Sequence, residues 1–333
     1  MTRREIIKLF GVSGLLLALP RPLSLFAQYN NKMNKKEFEV IIIGGSYAGL
    51  STAMSLGRSL RNTLIIDSGK PCNRQTPHSH NFLTQDGSTP IEISEIAKSQ
   101  ISKYESVKFY NGIAVSGKRI KKGFEITTTF GDIFSAKKLV FATGIKDIMP
   151  DIHGFSQCWG ISVVHCPYCH GYEIRNKKTA IIANGERAFH LASLVNNLTK
   201  EITIITSGTK DFEENQLEKL KQYNIKIVEK QISEIEHQNG QLEKIVFKNG
   251  STENFECAYA SIPFEQNSNI PKELGCELTE NGHIKVNFMQ KTTVEDVFAC
   301  GDNSSMMRSV AIAVSSGNIS GAVINNELTQ ENF

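Results

Sequence analysis

The 333-residue sequence predicts an α/β fold built on two copies of a strand–turn–helix–strand unit. Three observations carry that expectation. The run Phe38–Ile43 is apolar and β-branched, as a buried parallel strand is, and it enters the turn Gly44-Gly45-Ser46-Tyr47-Ala48-Gly49 before a helically spaced stretch, Leu50 to Leu60. The pattern returns at Lys178–Ala183, with a turn over 183–188, a helix to Leu198 and a strand at Ile202–Ile205. A composition of 40% hydrophobic and 21% charged residues supplies cores for two such units and excludes a disordered chain. The expected architecture is two Rossmann-like, three-layer domains.

The formal charge of +3 is concentrated at the start of the chain, where Arg3, Arg4, Lys8 and Arg21 stand against Glu5. The remainder is balanced, which argues against nucleic-acid binding. No apolar run reaches the ~20 residues of a membrane-spanning helix, so no stable span is expected. The seven cysteines are too few for a dense disulfide scaffold, and an odd number cannot all pair within one chain.

Residues 1–27 read as an export signal. A basic opening is followed by the uncharged stretch Leu9–Leu19, by Pro20-Arg21-Pro22 and by a small-residue exit at Ser24–Ala27. The adjacent arginines with Lys8 resemble a twin-arginine signal, the route of proteins that fold around a cofactor before export. The implied location is exported and periplasmic.

The first glycine-rich turn has the context of a dinucleotide cradle. Strand, turn, helix and second strand (Leu64–Ile66) are in register, and Asp67 ends the second strand. Gly44 permits the tight turn and Gly49 the close approach of helix to strand. A helix N-terminus offers free N–H groups to a pyrophosphate, and Asp67 is placed for a ribose hydroxyl. Ser46 stands where the motif has its middle glycine. Gly44, Ser46, Ala48, Gly49 and Asp67 are the candidate cofactor-binding residues of this segment.

His165-Cys166-Pro167-Tyr168-Cys169-His170-Gly171-Tyr172-Glu173 carries the chemistry. Two cysteines two residues apart can close a small disulfide ring that opens readily. Pro167 suits the first turn of a helix, which would put Cys166 at the N-terminus, where the dipole favours thiolate. A zinc site is an alternative, but the other cysteines are single and supply no second pair. A structural bridge is another, although so short a loop stabilises little. His170 can titrate near neutral pH and suits proton transfer.

Several stretches resemble the pyridine-nucleotide-disulfide oxidoreductases. Ala142-Thr143-Gly144 looks like their turn at the exit of the first FAD segment, and Cys300-Gly301-Asp302 looks like their second FAD motif. The pair Cys166–Cys169 lies in the inserted segment, a layout that resembles low-molecular-weight thioredoxin reductases from Phe38 to Leu328. The string Cys-Pro-Tyr-Cys-His-Gly-Tyr-Glu is closest to the gliotoxin-oxidase-like dithiol oxidases, since the reductases have Asp where this chain has His170. The resemblance implies FAD as cofactor, held also by Thr143, Gly301, Asp302, Val310 and Ala311. It implies that Cys169 faces the flavin while Cys166 exchanges with substrate. It further implies a discontinuous FAD-binding domain (37–148 and 266–333), an inserted NAD(P)-binding-like domain (149–265) and a homodimer.

The second unit lacks parts of a nicotinamide site. Ala183 replaces its first glycine, Glu186 sits where pyrophosphate charge would come close, and Thr206–Lys210 contains neither arginine nor a terminal acid. Binding of NADPH or NADH is expected to be impaired or absent, and an exported protein would not normally meet NADPH. The expected activity is FAD-dependent oxidation of a dithiol, either a small molecule or a thioredoxin-like protein, through Cys166, Cys169 and His170. The alternatives are an NAD(P)H-dependent thioredoxin-disulfide reductase and a non-catalytic flavin- or metal-binding module.

Overall fold

The structure, a computed structural model, describes residues 36–333. The export signal expected over 1–27 lies outside them. The chain opens with Lys36–Ile43 (β1), Tyr47–Arg58 (α1) and Thr63–Asp67 (β2), then Pro90–Ile101 (α2), Val107–Asn111 (β3), Ala114–Ile120 (β4), Gly123–Thr128 (β5), Ile133–Phe141 (β6) and Ile145–Asp147 (β7). Next come Phe155–Cys158 (α3), Val163–Val164 (β8), Pro167–His170 (α4), Thr179–Ile182 (β9), Gly185–Val195 (α5), Ile202–Ile205 (β10), Glu214–Gln222 (α6) and Lys226–Val228 (β11). Ile232–Gln238 (β12), Gln241–Phe247 (β13) and Thr252–Asn254 (β14) precede Cys257–Ala260 (β15) and Phe264–Gln266 (β16). Ile270–Glu273 (α7), Val297–Ala299 (β17) and Val310–Asn332 (α8) complete it.

The first sheet has the order β3-β2-β1-β6-β5-β4, with β17 also on β6. The far edge of β6 is shared: Ile133–Ala136 pair antiparallel with β5, and Leu139–Phe141 pair parallel with β17. The sheet is therefore built from both ends of the described chain. Its parallel strands are covered on both faces, which is why they read as unbroken apolar runs. Val40, Ile42, Ile65 and Val140 face the core under α1 and α8, and Ile41, Ile43, Leu64, Ile66 and Phe141 face the opposite one.

Helix α8 packs on α1 through small residues. A Cβ on Gly317 would lie 2.1 Å from the Ala48 carbonyl oxygen, and one on Gly321 2.7 Å from that of Thr52. The Ser51 and Thr52 hydroxyls donate to the carbonyls of Val314 (2.6 Å) and Gly317 (3.0 Å). Gly301 joins the two helices, because its N–H donates to Ser316 Oγ at 3.0 Å and a Cβ there would come 2.9 Å from that of Ala48. In this way the last glycine motif is brought to the first.

The second sheet, β11-β10-β9-β15-β8, is parallel throughout and again has a core on each face. The chain leaves the first sheet through β7 and returns through β16, and these two strands pair antiparallel. The polar stretch 236–254 forms most of a three-stranded antiparallel sheet, β12-β13-β14. Among the described residues no helix is long and apolar enough to cross a membrane.

Candidate active site

The first turn has the geometry of a cofactor cradle. Gly44 has φ +106°, and a Cβ there would lie 2.2 Å from the Ala142 carbonyl oxygen; a Cβ on Gly49 would lie 1.9 Å from that of Gly44. Only glycine fits either place. Ser46 is the N-cap of α1, but its side chain makes no capping bond, so the first N–H groups of the helix around Ala48 and Gly49 stay available. Asp67 accepts the Gly45 N–H at 3.0 Å through one carboxylate oxygen. That bond braces the turn and leaves the other oxygen, 4.0 Å from Lys98 Nζ, for a hydroxyl.

The two later motifs converge on the same end of the sheet. Fully buried Asn303 donates to the Phe141 carbonyl at 2.8 Å and to Thr143 Oγ1 at 3.2 Å, fastening the turn after β17 to the turn after β6. Its Oδ1 is buried without a partner among the described residues. Asp302 lies beside it, and Ser309 caps α8 by accepting the Ile312 N–H at 3.2 Å. Val310 and Ala311 form the first turn of that helix. The structure thus gathers Gly44, Ser46, Ala48, Gly49, Asp67, Thr143, Gly301, Asp302, Val310 and Ala311 around one end of the first sheet. A glycine-only turn, open helix N-termini and an unmet buried acceptor fit a dinucleotide such as FAD.

The cysteine pair abuts this cradle. Cys166 is the N-cap of α4 and Pro167 its first residue, as the spacing predicts. The Cys169 N–H donates to Cys166 Sγ at 3.2 Å, and Cys169 Sγ lies 3.9 Å from the carbonyl oxygen of Arg308, immediately before the α8 N-cap. Both thiols are free in this structure. A hydrogen bond from the Cys169 thiol, then the Cys169 and Tyr168 N–H groups, hold Cys166 down at about 7, against the cost of burial. The direction matches the sequence expectation, but the cause is local. A helix of four residues has little macrodipole, and the Cys169 thiol, followed by individual N–H groups, supplies the effect. Cys169 is raised by the same shared hydrogen bond and by burial. The pair is therefore asymmetric, with Cys166 the more acidic thiol and Cys169 the less acidic one, facing α8.

Burial, and then the charge of His80, push His170 down to about 4. Near pH 7 its imidazole is neutral and able to accept a proton, rather than titrating there as the sequence suggests. His165 is pushed down to about 3, mainly by burial, and its Nε2 has no partner. The segment between β2 and α2 reaches the same region, since His80 Nδ1 lies 3.6 Å from Asp86 and 3.6 Å from Glu173.

The second glycine turn does not fit a nicotinamide dinucleotide. Asn184 Oδ1 accepts both the Gly185 and Asp211 N–H groups at 2.9 Å, and its amide donates to the Thr209 carbonyl at 2.9 Å. The segment after β10 is thereby tied across the N-terminus of α5. A Cβ on Gly185 would lie 2.9 Å from the Asp211 carbonyl oxygen. Glu186 accepts from Gln216 at 2.6 Å, and Lys210 is engaged by Glu229 at 2.8 Å. The turn is satisfied internally, with the carboxylates of Asp211 and Glu186 beside it.

Sequence reasoning missed Asn303, Asp147 and Arg308, and left Trp159 open. Asn303 has a signal in its adjacency to Asp302. The other three meet across 161 and 12 residues of chain with no periodic trace.

Comparison with known proteins agrees with this geometry. The family model described as pyridine nucleotide-disulphide oxidoreductase matches residues 38–317. A thioredoxin reductase of Claviceps purpurea (strain 20.1), tcpT, is 30% identical over 301 residues, covering 87% of this chain and 94% of its own. Another from Leptosphaeria maculans, sirT, is 30% identical over 305 residues, covering 86% and 93%. The crystal structure of an oxidoreductase from Agrobacterium tumefaciens superposes with a TM-score of 0.82 at 34% identity, covering 88% of this chain and 99% of that one. The chain belongs to the pyridine nucleotide-disulphide oxidoreductase family, and is a thioredoxin reductase-like, FAD-dependent oxidoreductase acting on sulfur groups.

Proposed function

We propose that the chain is an FAD-dependent dithiol oxidase. The observation that carries this reading is the pairing of a Cys166–Cys169 couple set against the cradle with a nicotinamide turn closed by Asn184 and Asp211. With the couple oxidised, one substrate thiolate attacks Cys166 Sγ; a substrate–Cys166 disulfide forms and the Cys166–Cys169 bond breaks, releasing Cys169 thiolate. The second substrate thiol then displaces Cys166 Sγ. The substrate leaves as a disulfide, and the enzyme holds the two electrons and, in all, two protons as a dithiol. His170, directly after Cys169, is the candidate group for relaying a proton as the thiols exchange. Cys169, against the carbonyl of Arg308, faces the cradle formed by the residues around Gly44, Asp67, Thr143, Asp302, Val310 and Ala311. Bound there, FAD supplies the two-electron acceptor that restores the disulfide, with O₂ or another oxidant taking the pair on. The twin-arginine-like segment at 1–27 agrees with a periplasmic enzyme that does not depend on cytoplasmic NADPH. A homodimer belongs to the same reading, and light scattering of the purified protein tests it.

Anaerobic addition of a dithiol to the holoprotein should bleach the visible band of oxidised flavin, and aerobic turnover should release hydrogen peroxide if O₂ is the acceptor. A band that survives a panel of dithiols but collapses with NADPH or NADH would overturn the reading. The second reading is an NAD(P)H-dependent thioredoxin-disulfide reductase, favoured by the names of the relatives, tcpT and sirT. Saturable flavin reduction by either nucleotide selects it.

A further inference from the structure

We propose that Asp147, Arg308 and Trp159 form a clasp that holds the cysteine couple against the N-terminus of α8, making Asp147 and Arg308 positioning residues for the redox step. This rests on the reading above for its chemistry, though not for its geometry. Three parts of the fold meet on one carboxylate. Asp147 ends β7, the strand by which the chain leaves the first sheet. Arg308 immediately precedes the N-cap of α8. Trp159 belongs to the core of the second sheet, stacked on Phe155 with ring centroids 5.7 Å apart.

The contacts are complete for the carboxylate. Arg308 donates to its two oxygens at 2.8 and 3.1 Å, and Trp159 Nε1 donates to it at 3.0 Å. The Arg308 and Asp147 side chains are only 16% and 10% exposed. On its other edge the guanidinium Nε lies 3.7 Å from Asp302, a charge contact without a hydrogen bond. A bidentate pair this buried has one favoured geometry, and removing one charge strands the other. The backbone of the same Arg308 contacts the Cys169 sulfur at 3.9 Å. The clasp therefore fixes the surface that the reacting thiol faces.

Its location gives it leverage. The strands β7 and β16 are the two crossings between the sheets, and a few residues at element ends are where domain motions hinge. By tying this crossing to α8 on one side and to Trp159 on the other, the clasp selects one orientation of the second sheet over the first. In that orientation Cys169 is half-buried and aligned with the Arg308 carbonyl.

The test uses FAD-loaded Asp147→Asn, which keeps an acceptor but loses the charge, and Trp159→Phe, which keeps the ring but loses the N–H. Reduced protein is treated with iodoacetamide, and alkylation at Cys166 and Cys169 is read by peptide mass spectrometry. Trp159 is the single tryptophan of the chain, so in Asp147→Asn its fluorescence and acrylamide quenching report directly on the clasp. We expect Asp147→Asn to raise Cys169 alkylation about ten-fold relative to Cys166 and to lower kcat up to about 10²-fold, with unchanged KM for the dithiol and unchanged FAD content. Trp159→Phe should act in the same direction with smaller effect. Wild-type shielding of Cys169 in Asp147→Asn would overturn the proposal, as would a loss of turnover that merely tracks loss of FAD. If Asp147→Asn fails to fold, Trp159→Phe decides by the same measurements. If Cys169 is unshielded in the variants but wild-type protein oxidises no dithiol, the clasp stands and the proposed function falls.

Discussion

Replacing Cys169 with alanine isolates what lowers Cys166 and so tests its proposed role as nucleophile. The largest contribution to the lowered value of Cys166 is the hydrogen bond from the Cys169 thiol, ahead of the Cys169 and Tyr168 N–H groups. A thiol at its ordinary 9.0 is about 1% thiolate at pH 7, and one at about 7 is about half thiolate, a gain of roughly 50-fold. The lower basicity returns part of this. With a Brønsted coefficient of about 0.4–0.5, intrinsic nucleophilicity falls roughly 6- to 10-fold, leaving a net acceleration of about 5- to 8-fold at pH 7. The assay is the rate of iodoacetamide alkylation of Cys166 in reduced protein between pH 5 and 10, resolved by peptide mass spectrometry. The wild type should inflect near 7. Cys169→Ala should move the inflection upward, toward the ordinary thiol value, and slow alkylation at pH 7 while leaving the plateau at high pH no lower. A wild-type inflection near 9, or superimposable profiles for the two proteins, would refute the assignment of nucleophile and partner.

Other substitutions test other parts of the structure. His170→Asn should lower dithiol turnover by about 10²-fold, the low end for general acid–base catalysis, without loss of FAD. On the proposed proton-relay role of neutral His170, wild-type activity should fall as pH drops through about 4, and the variant should lack that limb in stopped-flow flavin reduction. Gly49→Ala puts a methyl 1.9 Å from the Gly44 carbonyl oxygen, so purified protein should lose its flavin colour and melt at lower temperature. Lys138, only 2% exposed, is held by Asp296, Glu327 and Glu331 at 2.6, 2.9 and 2.7 Å. Lys138→Ala should cost about 3 kcal/mol in urea denaturation, because it leaves three carboxylates facing one another.

Much of the fold is legible because its causes are contiguous in the chain. The β-branched run before Gly44 must be a strand covered on both faces, and the steric demand at Gly49 is set by Gly44, five residues away, although the demand at Gly44 comes from Ala142 at the end of a distant strand. Cys166 at an N-cap with Pro167 behind it is likewise a local arrangement, and it forms as the spacing dictates. Even the unsuitability of the second turn is visible in Ala183 and Glu186. Its closure is not, because the Asn184–Asp211 bond depends on where the segment after β10 comes to rest.

The sequence by itself determined the two α/β units, the cradle glycines, Asp67 at its strand end and the place of Cys166 at a helix N-cap, since each follows from periodicity or from what a short stretch of backbone can adopt. Tertiary structure decided which polar groups lower Cys166, the neutral state of His170, the bonds of Asn303 and the meeting of Asp147, Arg308 and Trp159. Those properties arise from burial and from polar partners far apart along the chain, where geometry in space alone sets the dielectric and the hydrogen bond.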